Sequence, residues 1–189
     1  MFHKLSARAA GYPLSDMPVP LQRAIVTAIE TAWRDVLAHS SRFIDEKDAT
    51  TVLVEALRDV RASGRVPAFT DRFFQTPSRD ACETNFNGQA LDKRPDIHLR
   101  LIDAIDDFHG WFVECKVVDA RHPVRLYVRQ GIDRYVLGDY AWAMPSALMI
   151  AYAGVGFTTA THLAPALPAG IAPFPAGLAT GADSCRTKH

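Results

Sequence analysis

Near its middle the chain changes its hydrophobic period from helical to two, and that change limits the fold more than any other feature. From Asp96 to Ile102 the apolar residues alternate, with Ile97, Leu99 and Leu101 on one side. Asp106-Asp107-Phe108-His109-Gly110 is turn chemistry. Trp111 to Val118 then reads as a second strand, so the pair predicts a β-hairpin. Cys82 to Phe86 predicts a short strand before it, and Ala147 to Ala153 a buried apolar strand after it.

Helical spacing governs the segments on either side. Leu21, Ala24, Ile25, Ala28, Ile29, Ala32, Trp33, Val36 and Leu37 predict a helix over Val19 to His39. A second helix is predicted from Glu46 to Ala62, with Asp45 as its N-cap and Ser63-Gly64 ending it. Pro123 to Leu137 predicts a third, with Pro123 near the first helical position. Beyond Gly154 the composition turns to Ala, Pro and Gly, which predicts coil or a mobile tail.

This pattern fits an α/β fold with a small mixed sheet of about four or five strands and helices on its faces. The chain of 189 residues suits one domain, over 1–153, with its core at about 45–153, the helix at 19–39 packed on it, and a C-terminal extension at 154–189. Apolar residues make up 48% and charged residues 22%, the balance of a globular protein. Lys+Arg and Asp+Glu are both 21, which excludes a polybasic nucleic-acid binder but leaves room for a local basic face. Three cysteines, Cys82, Cys115 and Cys185, without CxxC spacing argue against a disulfide framework and a cysteine zinc site. The absence of a secretory pattern and of a long apolar helix predicts a cytoplasmic protein without a membrane partner.

The hairpin carries the chemistry. Arg94-Pro95-Asp96 opens its first strand and Glu114-Cys115-Lys116 lies in its second. Glu114 and Lys116 are two residues apart, so they share a face, while Cys115 points the other way. The hairpin brings Asp96 beside Glu114, so two carboxylates and an ammonium meet at a sheet edge. Two adjacent carboxylates suit Mg²⁺, with Mn²⁺ as a substitute, and an ion there polarises a phosphate and activates a water. Lys116 would serve the attacking water or the developing charge. The plainer reading is a structural ion pair, but charges within the apolar run Trp111 to Val118 are costly unless paired or bound to metal.

These residues resemble the PD-(D/E)XK nuclease superfamily, in Pro95-Asp96, in Glu114-Cys115-Lys116 and in the order helix, three strands, helix, strand. The resemblance covers about Asp45 to Ala153. It implies a restriction-endonuclease-like core and a Mg²⁺-dependent endonuclease that hydrolyses DNA phosphodiester bonds, of the kind found in restriction and phage-defence systems. It also implies a further acid from the first core helix. Glu46 lies nearer the apolar stripe than Glu55, and Glu83 is a third candidate. Gln130 stands where many members carry a glutamine near the site, although Tyr135 follows it at five residues instead of four. The basic residues Arg125, Arg129 and Arg134 on the following helix fit phosphate-backbone contact, against the alternative of a solvated helix face. Specificity is left to a partner subunit or to homodimerisation. The competing class is a non-cleaving nucleic-acid-binding or assembly subunit that keeps the fold.

Overall fold

The computed structural model describes residues 13–39, 45–80, 94–104, 109–138, 141–154, 156–169, 172–173 and 183–188. Helix α1 (Val19–His39) covers the range its periodicity marks and buries Ala24, Ile25, Ala28, Ile29, Ala32, Trp33 and Val36. Helix α2 (Glu46–Ser63) starts at Asp45, whose side chain accepts the Asp48 backbone N–H at 2.8 Å and so satisfies one of the first-turn donors. It ends at Gly64, where φ is 64° and the backbone N–H donates to the Arg61 carbonyl, a left-handed closure that glycine adopts without a Cβ clash.

Six strands form one sheet in the order β1-β2-β3-β4-β6-β5. Four of them, β1 (Ser78–Arg79), β2 (Ile97–Arg100), β3 (Gly110–Val118) and β4 (Ser146–Ala153), make a mixed sheet between helices. Strands β2 and β3 are antiparallel, with Ile97 opposite Val113 and Arg100 opposite Gly110. Strand β4 runs parallel to β3, with Glu114 opposite Met149. Residues 105–108 of the turn and the predicted strand at 82–86 lie outside the described residues.

The crossover from β3 to β4 carries α3 (Val124–Tyr127), a π-helical turn (Val128–Ile132) and α4 (Asp133–Leu137), where one uninterrupted helix was expected. Pro123 is the N-cap residue instead of the first helical one. The tail also departs from expectation. It forms a π turn at Thr159–Leu163, a 3-10 turn at Ala164–Ala166, and strands β5 (Ala172–Pro173) and β6 (Asp183–Lys188). Strand β6 pairs antiparallel with β4, so the sheet exceeds the expected four or five strands. Edge pairing uses backbone groups, and an Ala/Pro/Gly-rich approach gives no side-chain alternation to announce it.

Two apolar layers sandwich the sheet. On one face, α1 and α2 pack on Trp111, Val113 and Cys115 of β3 and on Leu148, Ile150 and Tyr152 of β4. On the other, Phe112, Val118, Met149 and Ala151 meet Tyr127, Ile132 and Tyr135 of the crossover. Each fully buried aliphatic or aromatic side chain here contributes about 1.5–3 kcal/mol. The alternation puts Glu114 and Lys116 on the crossover side and Cys115 on the helix α2 side. Among the described residues, no helix is long and apolar enough to cross a membrane.

Candidate active site

Strand β2 begins at Ile97, opposite Val113, so β3 runs on past Val113 without β2 alongside. Two carboxylates satisfy the backbone donors left at that edge. Asp96 Oδ2 accepts the Cys115 N–H at 2.7 Å, and Glu46 Oε2 accepts the Val117 N–H at 3.1 Å. Glu46 belongs to the opposite helical layer and reaches the site because α2 starts beside the open edge. That start is anchored from beneath, where Thr50 Oγ1 donates to the Glu46 carbonyl at 2.7 Å and receives the Tyr152 hydroxyl at 3.2 Å.

The same carboxylates gather around Lys116. Its Nζ lies 2.9 Å from Glu46 Oε1, 2.8 Å from Glu114 Oε1 and 3.8 Å from Asp96 Oδ2. It also donates to the Cys115 carbonyl at 2.8 Å. Arg134 NH1 joins Glu114 Oε1 at 2.8 Å. The Lys116 and Glu114 side chains are 14% and 1% exposed, against 35% for Glu46 and 21% for Asp96, so Glu46 and Asp96 form the outer side of a site whose centre is Glu114 and Lys116.

Two cations face three carboxylates, one negative charge in excess when every acid is ionised. Burial, and then the neighbouring Glu114, push the Asp96 carboxyl up to about 6, against the pull of Lys116 and the Cys115 N–H. Burial works against the Lys116 ammonium, but Glu114, Asp96 and Glu46 outweigh it and hold its pKa above the ordinary value. Asp96 therefore holds its proton to a higher pH than an ordinary aspartate does. Behind the site, burial and then Asp96 raise the Cys115 thiol, which stays protonated and inert as a nucleophile.

No family model, no curated protein and no solved structure matches this chain.

The site thus brings together Asp96, Glu114, Lys116 and Glu46 of the residues singled out in the sequence. Arg134, expected on a phosphate backbone, instead pairs with Glu114. Arg125, Arg129 and Gln130 are exposed, and Gln130 makes no hydrogen bond to the four charged residues among those described. Glu55 turns away and pairs with Arg58 at 2.6 Å, while Glu83 lies outside the described residues.

Sequence reasoning missed Gly131. A Cβ there would meet the Met149 thioether and lie 3.9 Å from Glu114 Cγ, so the glycine lets the π turn rest on the sheet. Its signal was the spacing of Tyr127, Gly131 and Arg134, which puts all three on the sheet side of a helix.

The donor set fits a hard divalent cation. Glu114 Oε2 is buried and has no hydrogen-bond partner among the described residues, a vacancy that buried carboxylates rarely leave. Asp96 and Glu114 are all-oxygen donors, and Mg²⁺ asks for only one or two carboxylates besides its waters.

Proposed function

We propose that this chain is a metal-dependent endonuclease of the PD-(D/E)XK kind, hydrolysing phosphodiester bonds of DNA. The observation that carries the reading is the convergence of Asp96, Glu114, Lys116 and Glu46 at the open edge of β3, with one buried Glu114 oxygen unpartnered among the described residues. Asp96 and Glu114 would hold Mg²⁺, or Mn²⁺ in its place. Bound there, the ion would supply a Lewis acid for a phosphate oxygen and activate a water.

The chain's own residues account for the rest. Glu46 keeps the Lys116 ammonium at the site through the bond to Nζ. Lys116 offers donors to the attacking water or to the charge that grows on the phosphate, an interaction worth most in a dry site. Arg134 holds Glu114 Oε1 in place. Arg125 and Arg129 stand exposed on the crossover, where guanidinium groups fit the phosphates of a nucleic-acid backbone.

A specific observation favours a second reading. Every carboxylate of the cluster already has a cation beside it, as in a structural ion-pair network. That arrangement suits a non-cleaving nucleic-acid-binding subunit.

Plasmid and single-stranded DNA incubated with the protein in Mg²⁺, Mn²⁺ or EDTA separate the two. The nuclease reading expects cleavage with either metal, none in EDTA, and none from Asp96→Ala or Lys116→Ala protein that remains folded and binds DNA. Binding without cleavage under every condition assigns the chain to the subunit class.

A further inference from the structure

Three acids surround the Lys116 ammonium in this site. The oxygens of Glu46, Glu114 and Asp96 lie 2.9, 2.8 and 3.8 Å from Lys116 Nζ. Those are ammonium spacings, whereas Mg²⁺ requires oxygens at about 2.0–2.1 Å. Among the described residues, no three His, Cys, Asp or Glu side chains form a ready-made metal cage. We propose that Lys116 is the resident cation of the carboxylate site and that a divalent ion takes the site by exchange with it. The proposal rests on the nuclease reading above and names how that site is controlled.

Charge and connectivity support the exchange. Without metal, Lys116 and Arg134 face three carboxylates, so Lys116 is the counter-ion that makes the buried Glu114 tolerable. A divalent ion added beside both cations would leave the cluster with an excess of positive charge in a partly dry site. Expelling Lys116 removes that excess. Glu114 keeps a partner throughout, because Arg134 holds the same oxygen at 2.8 Å while Oε2 has no partner among the described residues. Lysine suits the part, being a point charge on a flexible four-carbon stem. Once displaced from Glu46 and from the Cys115 carbonyl, its donors become available to a phosphate. In the metal-free protein they are engaged, which couples metal loading to delivery of the ammonium.

Amine labelling tests this without any cleavage assay. The full chain is reductively methylated without metal, with Mg²⁺, with Mn²⁺ and with Ca²⁺, and each lysine is read by mass spectrometry while calorimetry records metal binding. Exposed Lys47 serves as the internal reference. Labelling of Lys116 should rise about tenfold with metal, as expected when a minor released state becomes the major one, with Lys47 unchanged. Glu46→Gln, which weakens the hold on Nζ but leaves Asp96 and Glu114, should raise metal-free labelling of Lys116 and tighten Mg²⁺ binding severalfold. Metal that binds while Lys116 labelling stays flat in both proteins overturns the exchange and leaves the nuclease reading standing. Labelling that rises equally at Lys47 reports general loosening and also overturns it. Absence of Mg²⁺ and Mn²⁺ binding removes both readings together.

Discussion

The backbone N–H of Val117 donates to Oε2 of Glu46 at 3.1 Å, across 71 residues of chain and from one layer of the fold to the other. A side-chain carboxylate thus does for β3 what the carbonyl of a neighbouring strand would do, and its second oxygen holds Lys116. Glu46→Ala should lower stability by about 1–2 kcal/mol, because it leaves the Val117 strand donor without its acceptor and removes one of several acceptors from the Lys116 ammonium. Glu46→Gln keeps a carbonyl oxygen for Val117 and should recover most of that loss but not the cleavage rate. Urea denaturation and single-turnover assays separate the two effects. Equal stability of wild type and Glu46→Ala would show that the carboxylate does not tie the strand to the helix.

Asp96 gives the fold a pH dependence of definite sign. Its folded value of about 6 lies above the ordinary 3.8, so the folded chain keeps a proton that the unfolded chain releases. The stability this proton lends is complete below pH about 3.8 and is lost as pH rises through about 6, a change on the order of 3 kcal/mol. Asp96→Asn has no such proton and should lack that decline. Melting temperatures of both proteins from pH 4 to pH 7 provide the comparison, and parallel profiles would remove Asp96 as the cause.

How far the sequence discloses this arrangement depends on how local each determinant is. Helix α2 is legible end to end because Asp45 and Gly64 act within one turn of it. The hairpin is legible because alternation and turn residues are local too, and the shared face of Glu114 and Lys116 follows from strand geometry alone. The bond from Glu46 to Val117 depends on where β2 stops, which is a matter of pairing and not of composition. Arg134 is harder still. Its spacing from Tyr127 and Gly131 puts it on the sheet side, but the π turn before it changes the helical register, and nothing local in the sequence marks that turn or the pairing with Glu114. Strand β6 leaves no mark, since its approach from the Ala/Pro/Gly-rich tail carries no alternation to read.

The arginines of the crossover divide by position. Arg125 and Arg129 are exposed, whereas Arg134 is tied to Glu114. Replacing Arg125 and Arg129 together by Ala should weaken DNA binding alike for all sequences and reduce the salt slope by about two phosphate contacts, with the melting temperature unchanged. Arg134→Ala should do the reverse, lowering the melting temperature while leaving the salt slope alone. Fluorescence anisotropy over a salt series reads both, and an unaltered slope in the double variant would return Arg125 and Arg129 to a solvated surface.

Gly131 links the π turn to the site through a single close approach. Its missing Cβ leaves room for the Met149 thioether, and Met149 is fully buried opposite Glu114 in the β3–β4 register. Alanine at this position has two opposed effects. It favours the helix by about 1 kcal/mol, and it overfills the packing against Met149 by about 1–3 kcal/mol. The second effect should win in the native background, since the buried thioether has no solvent to move into, and Gly131→Ala should be net destabilising. In a Met149→Ala background the obstruction is gone, so Gly131→Ala should become neutral or stabilising. A double-mutant cycle in urea measures the coupling directly. A similar cost of Gly131→Ala in both backgrounds would mean that the glycine serves the backbone of the π turn and not the contact with Met149. The expected change of sign would place the fit of crossover to sheet, and with it the reach of Arg134 to Glu114, under the control of one missing side chain.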